Sequence, residues 1–462
     1  MTDETPWVDH RTGGPAPDSF GETAQRRGSA GLPSVNVAPA GPVPDADLPI
    51  PDRGSSPVLF RSRTWDGGTS GGGASTLVAA EPAEVVVADG SDALAVLDDL
   101  EPGWWAGYLS YDLGRAVEAV RTRLPADPQL PDLVLARYDA RLVVDAGGSR
   151  LEGAPRARQA LDRLLERAPA VAPVAPLGEP VSSLDRAAFE AGVRAIIGLI
   201  ERGDSYQVNL TRRLTWDEPV EPVALHRALA RDNPSPRTTL LELPGPRAPI
   251  GIVSATPECF LRWHGRAVET RPIKGTGTDA GALRASAKDR AENVMIVDLA
   301  RNDLGRVCEF GSVEVTDLLS AEAHPGLVHL VSTVRGRRRA ETGVGALVRA
   351  TFPPASVTGA PKPRVLQAIE DLEPVRRGVY CGAIGWLDTT RDEGDLSVAI
   401  RTFTVAGDST MLGVGGGIVA DSRPADEWAE TELKVAQLLR AAGADAAART
   451  TNASTRRAVS TS

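Results

Sequence analysis

The feature that most restricts the fold is a series of short, strand-like apolar segments between residues 183 and 443. Successive segments such as TTLLEL, PIGIVSA, FLRWHG and AVETRPI follow one another with no helical pattern between them. Strands that alternate with helices build doubly wound parallel sheets, whereas runs of strands build sandwiches or mixed layers. The pattern therefore favours an α+β layered fold.

Composition divides the chain into five segments. Residues 1–56 are rich in Pro, Gly, Ser and Asp, so they cannot bury enough apolar surface to offset the entropy of ordering, and we predict a disordered N-terminal extension. Residues 57–168 are predicted to form an N-terminal subdomain, and 169–182 a Pro-rich linker. The main domain is expected over 183–443, followed by a disordered tail at 444–462.

Apolar periodicity predicts several long helices within the main domain, and continuous apolar runs predict its strands. One of these runs, LSVAIRTFTV, is predicted as a single strand that carries Arg401. The helices are expected near 186–202, 286–302, 343–350, 360–372 and 424–441.

Charge and composition exclude several classes of protein. The net charge of −10 argues against a nucleic-acid-binding protein, whose surface would be basic. No run of about 18 apolar residues exists to span a membrane. The N-terminus lacks the basic and then apolar order of a secretion signal, and the three cysteines form no metal-binding cluster. A cytoplasmic enzyme is the expectation.

Nine segments, in order, resemble the motifs of the chorismate-utilising enzymes, which include anthranilate synthase component I, aminodeoxychorismate synthase component I, isochorismate synthase and salicylate synthase. The resemblance implies a four-layer α/β/β/α sandwich with the active site between its layers, and it makes 183–443 the chorismate-binding catalytic domain. The segments are Tyr206–Leu210, Pro257–Leu261, Glu269–Thr276, Asp289–Val307, His329–Gly336, Phe352–Lys362, Leu372–Gly385, Ala399–Thr402 and Gly415–Lys434.

The resemblance implies a Mg²⁺ ion that anchors the ring carboxylate of chorismate, with Glu292 and Glu430 as its ligands and Glu427 as a possible ligand through water. Mg²⁺ prefers oxygen ligands and commonly uses one or two carboxylates. In the predicted helix that Pro424 can begin, Glu427, Glu430 and Lys434 fall on one face. Without the resemblance, the same three residues would be interpreted as a solvated charge stripe.

The resemblance also implies the catalytic residues Glu258, Lys274 and His329. Hydroxide is a poor leaving group, so the 4-hydroxyl of chorismate needs a general acid, and Glu258 follows an apolar strand that could raise its pKa. In the related aminodeoxychorismate synthases the lysine at the position of Lys274 attacks C2 of the ring. The alternatives are a surface carboxylate, a lysine that acts only as a cation, and a core histidine.

The substrate-binding residues follow from the same motifs. Chorismate carries two carboxylates, and the guanidinium of Arg401 suits one of them. The glycine run at 415–417 would let backbone N–H groups approach an anion, although such a run is as often a tight turn. The full set implied by the resemblance is Gly275, Thr276, Tyr380, Arg401, Gly415, Gly416, Gly417 and Lys434.

Two positions favour an amine over water as the nucleophile. Gln207 stands where the water-adding relatives have a basic lysine, and a neutral amide cannot take a proton at pH 7. Lys274 stands where anthranilate synthases commonly have alanine. The resemblance therefore implies an aminating enzyme that makes 4-amino-4-deoxychorismate for para-aminobenzoate and folate biosynthesis. The alternatives are anthranilate synthase component I, in tryptophan biosynthesis, and a non-catalytic chorismate-binding regulatory subunit.

The sequence contains no Cys/His glutaminase constellation. We therefore expect ammonia to come from a separate glutamine amidotransferase subunit. The segment Asn233–Pro236 resembles one that helps to hold tryptophan in related enzymes, but Arg237 follows it where an aromatic residue is usual.

Overall fold

Two β-sheets face each other across an apolar core, and helices cover their outer faces. The computed structural model describes residues 48–63, 74–324, 327–443 and 451–452. Residues 1–47 of the predicted extension and most of the predicted tail lie outside the described residues. None of the helices within the described ranges is long and apolar enough to cross a membrane.

The strands of the described residues are numbered in chain order. They are β1 Val58–Arg63, β2 Ala74–Ala79, β3 Glu84–Ala88, β4 Trp104–Leu109, β5 Leu133–Tyr138, β6 Ala140–Asp145, β7 Gly148–Gly153, β8 Val181–Ser182, β9 Gln207–Trp216, β10 Thr238–Leu243, β11 Ile250–Ser254, β12 Cys259–His264, β13 Ala267–Arg271, β14 Ile273–Gly277, β15 Glu314–His324, β16 Leu327–Arg337, β17 Gly359–Ala360, β18 Ala383–Asp388, β19 Glu393–Val398, β20 Thr402–Ala406, β21 Ser409–Ile418 and β22 Thr451–Asn452.

The helices of the described residues are numbered in the same way. They are α1 Gly90–Val96, α2 Gly114–Val117, α3 Pro155–Glu166, α4 Arg186–Glu201, α5 Pro222–Asp232, α6 Ala280–Ala285, α7 Ala287–Gly305, α8 Val344–Thr351, α9 Lys362–Leu372 and α10 Pro424–Ala441.

Sheet A runs in the order β22-β8-β9-β21-β20-β11-β10-β1-β2-β6-β7, with β17 also paired to β9. Sheet B runs in the order β14-β16-β13-β12-β19-β18-β4-β5-β3, with β15 also paired to β16. Neighbouring strands are antiparallel except for β8 and β22. Because the sheets are almost entirely antiparallel, the predicted α+β class is confirmed.

The four layers follow from strands that are apolar on both faces. In β1, Val58 and Phe60 point into the core between the sheets, whereas Leu59 points outward, as the two-residue period of a strand requires. Helices α5 and α10 pack on the outer face of sheet A, and α1 and α7 pack on sheet B. The predicted α/β/β/α sandwich is confirmed.

The segment 57–168 does not form sheets of its own. Strand β1 pairs with β10 through Val58 and Leu241, and β4 pairs with β18 through Leu109 and Ala383. Both sheets therefore combine strands from the predicted N-terminal subdomain and the predicted catalytic domain. Residues Leu48 and Ile50, from the end of the predicted extension, are buried against sheet A.

The five predicted long helices are confirmed by α4, α7, α8, α9 and α10. The prediction of one strand through LSVAIRTFTV is wrong. Its first residues end β19 in sheet B, its last residues form most of β20 in sheet A, and Arg401 lies between the two strands with φ of +50°. Both strands are apolar and buried, so no change in periodicity marks the point where the chain crosses between the sheets.

A buried ion-pair network ties sheet A to sheet B. Arg237, just before β10, pairs with Asp395 in β19 and donates to Ser397 Oγ at 2.7 Å. Asp395 also accepts from Arg262 in β12 at 2.9 Å. Arg237 and Asp395 are 6% and 4% exposed. Arg237, which follows the segment Asn233–Pro236, therefore has a structural partner, Asp395, across the core.

We expect Arg237→Met to lower the free energy of unfolding by about 3 kcal/mol, because it leaves buried charge on Asp395 with less compensation. Arg231→Met is the matched control. Its ion pair with Asp232 lies on the surface, so its loss should cost at most about 1 kcal/mol. Urea unfolding of both variants measures the difference. Equal losses would show that the inter-sheet network contributes no special stability.

Candidate active site

Three segments that lie side by side between the sheets frame the candidate site. Residues 255–258 connect β11 of sheet A to β12 of sheet B, and 399–401 connect β19 back to β20. The N–H of Ala255 donates to the carbonyl of Arg401, and the N–H of Val398 donates to that of Glu258, both at 3.1 Å. These paired crossovers bring Glu258 and Arg401 to one region although 143 residues separate them in the sequence.

The segment after α9 joins the same framework. The N–H of Cys381 donates to the carbonyl of Ala399 at 2.8 Å, and the N–H of Ala399 donates to the carbonyl of Gly382 at 2.9 Å. Tyr380 is therefore held beside the crossover that carries Arg401. Its ring lies against Gly413 in β21, where any Cβ would clash with it.

Glu258 is the most deeply placed carboxyl of the site, with 5% of its surface exposed. Desolvation by burial raises its pKa to about 7, although the Ser356 hydroxyl and the Lys274 ammonium act in the opposite direction. A carboxyl with this pKa carries a proton in a large share of molecules at neutral pH. It can therefore act as a general acid.

Lys274 lies in β14 with its Nζ 3.4 Å from the carbonyl oxygen of Ser356, to which it donates. Burial lowers its pKa, and the carboxylates of Glu292 and Glu258 oppose that shift. Gly275, which follows it, has φ of +86° and lies against Asp289, so a side chain there would be both strained and crowded. The glycine lets β14 bend at the lysine.

Glu292 and Glu430 approach Lys274 from two helices, and Glu427 lies beside Glu430. Glu292 is in the first turns of α7, and burial raises its pKa. Glu427 and Glu430 are in the first half of α10; burial also raises the pKa of Glu427, whose Oε1 accepts from Ser422 Oγ at 2.6 Å. Glu430 is half-exposed, and although burial raises its pKa, the Lys434 ammonium 2.7 Å away lowers it overall.

These carboxylates form a donor set that suits Mg²⁺. Glu292 and Glu430 lie close enough for the charge of each to affect the other, and a bound dication would relieve that repulsion. In the described part of the chain, no three His, Cys, Asp or Glu side chains converge closely enough to enclose a metal ion. Mg²⁺ does not need such a cage, because it commonly keeps water and substrate oxygens as ligands.

The predicted glycine run lies within strand β21, and it is not a turn. Gly415 and Gly416 pair with Thr211 and Leu210 of β9. A Cβ on Gly416 would lie 3.4 Å from Glu427 Oε2 and 3.7 Å from Lys434 Nζ, and Lys434 donates to the carbonyl of Gly415 at 3.0 Å. The missing side chains leave room for these charged groups over the strand.

Gly417 has a different neighbour. A Cβ there would lie 2.7 Å from Nε2 of Gln207, whose residue is 0% exposed. Gln207 also pairs through its backbone with Ala360 of β17, shortly after Ser356. Gln207 stands at the position where the water-adding relatives have a basic lysine. Its amide therefore lies beside the glycine run.

Arg401 is partly buried and has no carboxylate partner among the described residues. Burial lowers its pKa, and no nearby charge opposes that shift. Its φ of +50° is unusual for a residue with a side chain, and such strain is concentrated at functional sites. A partly buried guanidinium that has no carboxylate partner within the described ranges can pair with a carboxylate of a bound molecule.

His329 belongs to the strand that pairs with β14, which carries Lys274. It is buried in β16, and its Nδ1 is 2.9 Å from the Oγ1 of Thr276, its partner across the β14–β16 pair. The structure thus places His329 beside Thr276, two residues after Lys274 in β14.

Ser356 is the residue of the site that was not predicted. Its hydroxyl lowers the pKa of Glu258, and its carbonyl accepts from Lys274. It lies in a short 3₁₀ turn between α8 and β17. The segment Phe352–Lys362 was singled out as a motif, but only the fold shows that this one serine lies beside the acid and the lysine.

Comparison with known proteins agrees with this arrangement. The family model described as "chorismate binding enzyme" matches residues 61–440. Aminodeoxychorismate synthase component 1 of Klebsiella aerogenes is 38% identical over 347 residues, which cover 72% of this chain and 76% of that protein. An anthranilate synthase component 1 of Haloarcula marismortui is also 38% identical, over 70% of this chain and 73% of that protein.

Among solved structures, anthranilate synthase component I from Streptococcus pneumoniae superposes with a TM-score of 0.66 and 27% identity, covering 88% of this chain and 95% of the other. Two relatives with different names are therefore equally similar in sequence, and identity alone does not separate their activities. Both relatives belong to one family. The match to the family model covers strands of both sheets and every residue of the candidate site. This chain belongs to the chorismate binding enzymes.

Proposed function

We propose that this chain is the chorismate-aminating component of an aminodeoxychorismate synthase. It would replace the 4-hydroxyl of chorismate with an amino group and keep the enolpyruvyl group, in the cytoplasm and on the route to para-aminobenzoate and folate. The observation that carries the proposal is the closeness of Lys274 and Glu258 beside Ser356, with a lowered pKa for the amine and a raised one for the carboxyl.

Departure of the 4-hydroxyl is assigned to Glu258. Protonated Glu258 would donate its proton to the leaving oxygen as the C4–O bond breaks, so that water leaves in place of hydroxide. Burial supports this role, because it keeps the carboxyl protonated near neutral pH. Ser356 would hold the carboxyl in place.

Attack on the ring is assigned to Lys274. Its neutral amine would form a bond to C2 as the 4-hydroxyl leaves, and it would lose a proton in that step. Ammonia would then attack C4 and lose a proton, and the C2–N bond would break as the lysine nitrogen regains a proton and leaves as the free amine. A lysine can act in this way only when burial or a nearby cation lowers its pKa, and burial has that effect here.

Substrate binding is assigned to the residues around this pair. Arg401 would pair with one carboxylate of chorismate, assisted by Tyr380 and the backbone of the glycine run at 415–417. Glu292 and Glu430, with Glu427 through water, would hold Mg²⁺, which supplies positive charge to the other carboxylate. Lys434 would stay beside Glu430 at the edge of the site.

Ammonia is expected to come from a glutamine amidotransferase partner. Several relatives are named component 1 of their enzyme, which implies a second component in those enzymes. Gln207 supports an amine nucleophile, because a buried neutral amide cannot activate water as a base.

The second candidate is anthranilate synthase component I, favoured by the equal identity of the relative with that name. It predicts a product without the enolpyruvyl group. A non-catalytic chorismate-binding subunit is the third candidate, and it predicts binding without turnover.

The deciding experiment incubates the purified chain with chorismate, MgCl₂ and ammonium chloride and identifies the product by mass. We expect 4-amino-4-deoxychorismate, because Lys274 directs amination to C4. Anthranilate would establish the second candidate, and bound but unchanged chorismate the third.

Lys274→Ala should lower formation of the 4-amino product at least about a hundredfold, because the ring nucleophile is lost. Without ammonia, the unmodified protein should gain the mass of chorismate less one water, and the variant should not. Arg301→Ala is the control, because that cation is exposed on α7 and pairs with the exposed Asp298. A variant that keeps full activity and forms no adduct would remove the covalent role from Lys274.

Glu430→Ala should raise the Mg²⁺ concentration for half-maximal activity by about tenfold or more, since one charged ligand is lost. Glu432→Ala is the matched control on the same helix, because Glu432 pairs with Arg212 and does not face Lys274. Titration of activity with MgCl₂ measures both. An unchanged Mg²⁺ requirement in Glu430→Ala would exclude it as a ligand.

A further inference from the structure

Each of the two glutamates assigned to Mg²⁺ has a lysine four residues away on its own helix. In α7, Nζ of Lys288 lies 3.9 Å from Oε1 of Glu292. In α10, Nζ of Lys434 lies 2.7 Å from Oε1 of Glu430. Residues four apart lie on the same face of a helix. Each helix therefore brings one carboxylate and one ammonium to the site.

The charge of Lys288 acts beyond its own helix. Burial acts to raise the pKa of the three glutamates at positions 292, 427 and 430, and the Lys288 ammonium acts to lower the pKa of each. Glu427 and Glu430 belong to α10, so Lys288 lies close to carboxylates of both helices. One ammonium of α7 is therefore near the whole set of carboxylates that is assigned to the metal ion.

The position of Lys288 is not explained by the stability of α7. It lies in the first turn, where the partial positive charge of a helix N-terminus disfavours a cation. A lysine four residues before a glutamate is also the weaker of the two possible orders. Ser286 already caps this helix, and Asp289 supplies the acidic residue of its first turn. The positive charge at 288 therefore has its favourable partners among the glutamates of the site.

The two lysines differ in how firmly they are held. Lys434 contacts Glu430 and also donates to the carbonyl of Gly415 at 3.0 Å. Lys288 has Glu292 as its single ion-pair partner within the described ranges, at a distance too long for a hydrogen bond, and 59% of its side chain is exposed. Lys288 can therefore move into solvent at little cost, whereas Lys434 is anchored to the strand below it.

We propose that Lys288 is a built-in counter-ion of the Mg²⁺ site, which competes with the metal ion for Glu292 and moves into solvent when the metal ion binds. The inference rests on the proposed function, which assigns Glu292 and Glu430 to Mg²⁺. A divalent cation on Glu292 and an ammonium beside the same carboxylate would repel each other. The ammonium is the one that leaves, because it is carried on a flexible four-carbon stem at the surface.

This competition has a consequence for the order of binding. Without a cation, the carboxylates of Glu292, Glu427 and Glu430 would repel one another, and Lys288 reduces that repulsion. The apparent affinity of a site falls with the fraction of molecules in which the site is ready for its ligand. The protein alone would therefore bind Mg²⁺ weakly, and the carboxylate of a bound substrate would add the affinity that is missing.

The test measures Mg²⁺ binding directly, by calorimetric titration of the full chain with MgCl₂ at low ionic strength and without chorismate. Lys288→Met should lower the dissociation constant for Mg²⁺ by about tenfold, because the competing charge is lost. Lys288→Arg keeps that charge and should stay within about twofold of the unmodified protein. Arg301→Met is the matched control, because it removes one positive charge from the same helix at an exposed position paired with Asp298. It should leave the dissociation constant unchanged.

An unchanged dissociation constant in Lys288→Met overturns the proposal, even if the KM for chorismate rises, because Lys288 would then be a substrate contact. An equal gain of affinity in Arg301→Met also overturns it, because the effect would then come from net charge alone. In the same titration, a Glu430→Ala variant with unchanged affinity would overturn the metal assignment and this proposal together. Failure of the proposed reaction would appear separately, in the mass of the product, because the titration does not depend on which product is formed.

Discussion

The candidate site depends on the burial of opposite charges at the place where the chain crosses between the sheets. Glu258 and the guanidinium-bearing Arg401 are on two crossovers that hydrogen-bond to each other, and Lys274 approaches from β14. Burial moves the pKa of the acid up and that of the amine down, toward neutrality from both sides. The two shifts have one cause, because burial disfavours the charged form of both groups.

The sandwich makes this burial possible because its sheets are apolar on both faces. A strand that leaves one sheet for the other passes through the layer between them, and its polar residues there have little access to water. The ion pair of Arg237 with Asp395 is a second example in the same layer. This ion pair ties the sheets together, whereas Arg401 has no carboxylate partner among the residues that the structure describes.

Helices α7 and α10 complete the site from opposite layers. They bring Glu292 and Glu430 toward Lys274, one from the side of sheet B and one from sheet A. Glu430 and Lys434 are half-exposed, whereas Glu258 is buried. The site is therefore open to solvent beside Glu430 and closed to solvent beside Glu258.

Much of this could be predicted from the sequence. Helix boundaries followed from apolar periodicity and from residues such as Pro424, and the motifs pointed to Glu258, Lys274, Glu292 and Glu430. These are local properties of a few adjacent residues. The sequence did not show that LSVAIRTFTV divides between the sheets, that strands of 57–168 extend both sheets built by 183–443, or that Lys274 contacts Ser356. Those features are decided by pairing between residues far apart in the chain, and a pattern of buried apolar residues is the same whichever sheet a strand joins.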